Sequence, residues 1–209
     1  MTNKKLSSRE LILAKIKDNQ PELMALPALP SFAIIDSNQK NIDSLAIKAQ
    51  FSQVLATIGG QVIEIDGYDE IISYVKGTFA DASRIVTTIS DLSEQLFDSE
   101  WIESNPHDLA NVELSIVGAH FGVAENGSVW VTEDLLCRQR VLPFITQNLA
   151  IVIDKQNIVP TMHHAYERIA SSDYGFGTFI AGPSKTADIE QSLVLGAHGS
   201  RTMTVFLMG

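Results

Sequence analysis

Three glycine-bearing segments hold the side chains best suited to chemistry. The first runs from Gly118 to Ser128 and contains one carboxylate, Glu125. A glutamate in such a loop suits a nucleophile, a general base or a hydrogen-bond anchor. The flanking glycines let the backbone approach a ligand closely. The plainer reading is a tight reversal, with Asn126-Gly127 as the hairpin turn.

The second segment is Gly182-Pro183-Ser184-Lys185-Thr186-Ala187-Asp188-Ile189-Glu190. A glycine turn that runs into a helical turn exposes free N–H groups for an anion. Lys185 adds charge, and Ser184 and Thr186 add hydroxyl donors. Asp188 and Glu190 oppose a bare anion unless they face elsewhere. The spacing is not that of a Walker loop, and a capped turn between two elements explains it as well. The third segment, Leu195-Gly196-Ala197-His198-Gly199-Ser200-Arg201, places an imidazole and a guanidinium before the last strand. Arg201 suits a bidentate carboxylate contact and His198 suits proton transfer near neutral pH. A solvated surface turn is the plain alternative.

Other residues say less. His163 and His164 are adjacent on an expected helix and project about 100° apart, so they do not chelate together. Arg138 and Arg140 read as solvated, Cys137 as a small buried residue, and Trp101 and Trp130 as core or interface. No metal-ligand set is recognisable.

Elements of matching rhythm must position these segments. Ser7 and Glu10 have capping-box spacing ahead of a short helix. Three prolines between Pro21 and Pro30 mark a linker. Two parts are expected, an N-terminal helix with linker over residues 1–30 and an α/β domain over 31–209. Asp43 suits the cap of a second helix, whose face is Ile47, Phe51, Val54, Leu55 and Ile58, with Gly59-Gly60 as its stop. Strand runs are expected at Gln61–Asp66, Arg84–Ile89, Val112–Val117, Ser128–Thr132, Leu149–Ile153, Thr178–Ala181 and Met203–Leu207. Helices are expected at Tyr68–Phe79 and Ile158–Ala170. This β-α-β rhythm implies parallel strands with helices on the faces.

Composition sets limits on function. Of 209 residues, 45% are hydrophobic, enough to bury a large core. A net charge of -10 disfavours nucleic acid and anionic membrane surfaces as partners. A single cysteine excludes an internal disulfide and a cluster that needs four thiolates, and it fits a reducing, cytoplasmic setting. The N-terminus has no long apolar run, so neither a signal peptide nor a membrane span is expected.

Taken in order, the motifs resemble the lactate-utilization protein C family, also called the LUD domain. Gly182-Pro183-Ser184-Lys185-Thr186-Ala187-Asp188-Ile189-Glu190 followed by Leu193-Val194-Leu195-Gly196-Ala197-His198-Gly199 is similar to its C-terminal signature. Ala124-Glu125-Asn126-Gly127-Ser128 resembles its Ala-Glu-Thr-Gly-Thr turn, and Ile158-Val159-Pro160 resembles a segment after a strand. The likeness spans residues 60–209. There are two departures. His120 stands where the family usually has an aspartate, and Asn126 replaces a threonine.

The resemblance implies a three-layer α/β/α domain with an open, mainly parallel sheet, similar to the sugar-phosphate isomerase and CoA-transferase group. It implies a part in oxidising L-lactate to pyruvate beside iron–sulfur oxidoreductase subunits, which would carry the clusters while this chain holds no cofactor. Whether the chain is itself an enzyme stays open, and no activity is expected of it alone. The alternatives are an independent CoA-transferase or isomerase using Glu125, and a regulatory domain that binds a small carboxylate or phosphate. Glu125 and His198 are the candidate catalytic groups. Gly182, Ser184, Lys185, Thr186, Arg201 and His120 are the candidate ligand contacts. Because ligands of open α/β sheets collect beyond the carboxyl ends of strands, the loops of Glu125, Ser184 and Arg201 are expected to meet there.

Overall fold

The computed structural model describes residues 7–21, 44–96, 100–170, 172–187, 193–195 and 198–209. The chain divides into two units, Met1–Asn41 and Ile42–Gly209. In the first, helix α1 (Ser8–Asp18) starts as its sequence predicts. The Ser7 hydroxyl accepts from the Glu10 N–H at 3.3 Å, and the Ser7 N–H donates back to Glu10 Oε2 at 2.7 Å. Most of the expected linker, and the expected cap Asp43, lie outside the described residues.

The second unit is built on a five-stranded, wholly parallel sheet. Its strands are β1 (Gln61–Ile65), β2 (Ile85–Thr87), β3 (Leu114–Gly118), β6 (Asn148–Asp154) and β11 (Thr202–Met208), in the order β1-β11-β6-β3-β2. The central pair β11 and β6 is buried on both faces, which is why Leu149–Ile153 is an unbroken apolar run and Met203–Leu207 is interrupted only by Thr204. Leu149, Ile151 and Ile153 face one side of the sheet, and Ala150 and Val152 face the other.

On the second side lie α3 (Tyr68–Thr78) and α4 (Ser90–Leu96). Ile71, Ile72 and Val75 of α3 are buried there with Leu92 of α4. On the first side lies α2 (Ser44–Thr57), which buries Phe51 and Leu55 one turn apart. Beside it is a second sheet of four strands, β4 (Phe121–Val123), β5 (Ser128–Thr132), β7 (Ile158–Val159) and β8 (Gly177–Ile180), in the order β7-β4-β5-β8. Its outer face carries α6 (Met162–Ile169), packed through Ala165 and Ile169 onto Phe121, Val123 and Trp130. The short α5 (Leu142–Ile145) adds Leu142 to the main core, and β9 (Lys185–Ala187) pairs antiparallel with β10 (Leu193–Leu195). The architecture is the expected three-layer, mainly parallel α/β fold, with one outer layer shared between a helix and a sheet.

Two local expectations need correction. Ile158–Ala170 is not one helix: Ile158 and Val159 form β7 beside β4, and the helix starts only after Pro160, which cannot donate to a ladder. Lys185–Ala187, expected to open a helical turn, is strand, because it finds a partner in Leu193–Leu195.

Gly127 shows how tightly the layers meet. Its φ is +67°, and a Cβ there would lie 3.0 Å from the Leu55 backbone of α2. Gly127→Ala is expected to destabilise by about 2–3 kcal/mol, from left-handed strain together with overpacking. Urea unfolding should show this as a lower midpoint with an unchanged slope.

Candidate functional site

The polar side chains that converge lie around a cleft of about 550 Å³. It is lined by His120, Thr132, Asp134, Arg168, Trp130 and Tyr174 among others. Two of its contributors leave the parallel sheet at strand carboxyl ends. His120 follows β3, where the Ala119 N–H bonds the Val152 carbonyl at 3.0 Å, and Asn157 follows β6. The β4–β5 hairpin then brings Thr132 back to His120.

The hairpin register pairs Phe121 with Trp130. It sets His120 Nε2 2.5 Å from Thr132 Oγ1, and that hydroxyl is also bonded to Asp134 Oδ1. The Thr132 hydroxyl has one proton. When it donates to the carboxylate it accepts from Nε2–H, which leaves Nδ1 as the ring's second nitrogen. Nε2 also lies 3.8 Å from Asp134 Oδ1. The Thr132 bond first, and the charge of His120 as a smaller cause, hold the Asp134 carboxyl below its ordinary range. Asp134 is therefore ionised at neutral pH.

Arg168 projects from α6. Its guanidinium lies 5.0 Å over the Phe121 ring and donates to Asn157 Oδ1 at 2.9 Å. Stacking on one face and one bond at an edge fix the fork while its other N–H groups remain available for a carboxylate. Glu133 also lines the cleft, but Arg140 Nη2 pairs with its Oε2, and the Gly175 N–H donates to its Oε1 at 2.9 Å. Arg140 also lies over the Phe176 ring, so it is a structural cation and not simply a solvated one. Among the described residues, no three His, Cys, Asp or Glu side chains are grouped to hold a metal.

The sequence candidates fall in two places. His120 is in the cleft. Glu125 is not among its lining residues: its Oε2 accepts the Met162 N–H at 2.7 Å, so the carboxylate caps the first turn of α6. The other loops join at the C-terminal end of α2. Gly182 has φ +71° and rests on Ile58, and the Ser184 N–H donates to the Ser200 carbonyl at 2.8 Å. Lys185 Nζ lies 3.5 Å from where a Gly59 Cβ would be, beside a helix terminus whose dipole favours a cation. No helix begins at Ser184, so the helical anion cradle expected there is replaced by strand pairing.

Arg201 is exposed, and its N–H bonds the Gln147 carbonyl at the amino end of β6. The carboxyl-end expectation therefore fails for Arg201, whose loop sits at the amino end of β6. His198 is exposed, and the Thr186 side chain lies outside the described residues. Thr132, Asp134, Arg168 and Tyr174 were not singled out from sequence. Only the hairpin register and the packing of α6 assemble them.

Residues 87–208 match the LUD domain family. An uncharacterized protein of Neisseria meningitidis serogroup B is 25% identical over 96% of this chain and 93% of its own length. Lactate utilization protein C of Bacillus pumilus is 33% identical, over 46% of this chain and 42% of that protein. The chain thus spans less than half the length of that relative. The protein of the same name from Shouchella clausii is 27% identical over 74% of this chain and 71% of its own. Among solved structures, a DUF162 family protein from Deinococcus radiodurans matches with a TM-score of 0.61 at 16% identity, covering 80% of this chain and 99% of that one. That likeness establishes the shared fold.

The Glu125 geometry makes a direct prediction. Glu125→Ala leaves the Met162 N–H without its acceptor and is expected to cost about 1 kcal/mol, the usual loss for a helix cap. Glu125→Gln keeps an acceptor oxygen and should retain most of that stability. Equilibrium unfolding of the two variants measures it.

Proposed function

The chain belongs to the LUD domain family, and on that premise we propose that it serves lactate utilization by binding a 2-hydroxy or 2-oxo carboxylate in the His120–Arg168 cleft. The observation that carries this reading is the pairing of a fixed guanidinium with an oriented imidazole in one cleft. Lactate and pyruvate share a carboxylate and an oxygen on the next carbon. Arg168 matches the first bidentately. His120 matches the second, as a hydrogen-bond donor or acceptor according to its protonation. The names of the curated relatives support the metabolic setting.

Oxidising lactate to pyruvate removes two electrons and two protons. The hydroxyl proton can pass to His120, and the hydrogen on the carbinol carbon leaves with both electrons to the acceptor, as hydride or as a proton and two electrons. The electrons need an acceptor, and one cysteine does not ligate an iron–sulfur cluster. We therefore assign the clusters to iron–sulfur oxidoreductase partners, with this chain as the cluster-free component that shapes the hydroxy-acid site. Among the described residues no helix is long and apolar enough to cross a membrane.

Calorimetry of the purified chain with L-lactate and with pyruvate tests the site. Arg168→Ala is expected to weaken binding about tenfold or more, since a charged hydrogen-bond pair is worth roughly 1.5–3 kcal/mol. Binding that ignores Arg168 would place the site elsewhere. Metal analysis of the isolated chain is expected to find no iron, and lactate with an artificial acceptor should not turn over until the iron–sulfur partners are added. Robust turnover by the lone chain would refute the division of labour.

A further inference from the structure

Lactate does not fill this cleft. Even if each of its six non-hydrogen atoms took a liquid water's share of about 30 Å³, it would occupy about 180 Å³. The open cleft offers about 550 Å³. The surplus has a particular character, because Phe121, Trp130 and Tyr174 line it. Trp130 is only 6% exposed and is held by Phe179, with ring centroids 4.5 Å apart. The backbone of Gly177 lies against its six-membered ring with no room for a side chain between them. Tyr174 meets Trp130 edge to face at 5.3 Å, yet it stays 39% exposed. The wall is thus rigid at its base and uncovered at its outer ring.

Charge narrows the ligand further. Among the described lining residues Glu133, Asp134 and Asp173 are acidic, and Arg168 is the guanidinium that faces them beside the His120 imidazole. Glu133 is neutralised by Arg140 and Asp134 is bonded to Thr132. Such a lining accommodates one carboxylate at Arg168 and repels a second anionic group. A neutral apolar extension fits it better than a phosphate does.

We infer that the cleft takes a 2-hydroxy or 2-oxo carboxylate bearing an aromatic side chain, with the carboxylate on Arg168, the 2-oxygen toward His120 and the ring against Tyr174, which the buried Trp130 backs. The inference rests on the reading of the cleft as a hydroxy-acid site and names its preferred substrate class. Aromatic rings favour tilted and edge-to-face neighbours, and Tyr174, set at 76° to the buried Trp130 and itself exposed, offers a ligand ring such a neighbour.

The test compares four ligands by calorimetry on the full chain: L-phenyllactate and phenylpyruvate against L-lactate and pyruvate, with inorganic phosphate and AMP as anionic controls. The aromatic acids are expected to bind about tenfold tighter than their methyl counterparts or better, the scale of burying one ring. Tyr174→Ala should collapse that ratio toward one, and Tyr174→Phe should keep it; unfolding curves confirm that both variants are folded. If lactate binds as tightly as phenyllactate, the aromatic preference falls while the hydroxy-acid site stands. Failure of all four acids to bind sinks both. An unchanged ratio in Tyr174→Ala, or tighter binding of AMP or phosphate than of the aromatic acids, overturns the inference.

Discussion

Phe51 occupies the space that a side chain at Gly122 would need. A Cβ on Gly122 would lie 2.9 Å from Phe51 Cε2 and 3.2 Å from Ile153 Cδ1. Phe51 is wholly buried, so α2, the parallel sheet and the second sheet meet at one ring. The contact explains why β4 carries a glycine at its centre although glycine weakens a strand. It also sets the height at which the β4–β5 hairpin rides over β6. The hairpin's two ends then have fixed places. Its turn rests on Leu55 through Gly127, and its open end carries His120 and Thr132 beyond the carboxyl end of β3. The cleft exists because a second sheet, and not another helix, covers this part of the first.

That arrangement also separates two roles that the sequence places side by side. Glu125 and His120 are five residues apart, yet one lies at the turn of the hairpin and the other at its mouth. Glu125 bonds the Met162 N–H and so anchors α6 against β4. Through that helix it helps place Arg168, two turns further on. The carboxylate that looks most like a nucleophile in the sequence thus acts on the cleft by holding the helix that supplies its cation.

The parts legible in the sequence were those whose pattern is local. β6 and β11 announce themselves because both faces are buried and their central positions are nearly all apolar. The cap at Ser7 and Glu10 and the face of α2 that buries Phe51 and Leu55 follow from spacing alone. The rest depends on partners distant in sequence. β7 has only two residues and is a strand because β4 lies alongside it. Gly-Pro-Ser-Lys-Thr has the residue types of a helix start, and only Leu193–Leu195 makes it a strand. In the cleft, His120 was marked by its departure from the family pattern. Its partners were not, because no spacing rule links Thr132, Arg168 and Tyr174 to it.

One further feature bears on how far the cleft is formed before a ligand arrives. Cys137 and Arg138 follow the turn that carries Glu133 and Asp134, and both have positive φ, 49° and 67°. Neither residue type favours that region, and each costs roughly 1–2 kcal/mol there. The strain persists because the turn is held from several sides. The N–H groups of Cys137 and Arg138 both donate to the Glu133 carbonyl, the Glu133 N–H bonds Phe176, and Arg140 grips the Glu133 carboxylate. Burial pushes the Cys137 thiol up, which keeps it a neutral packing group within this turn. A segment so over-determined has little freedom left to lose. Asp134 therefore meets Thr132 and His120 in a fixed geometry, and a ligand entering the cleft does not have to order that side of it.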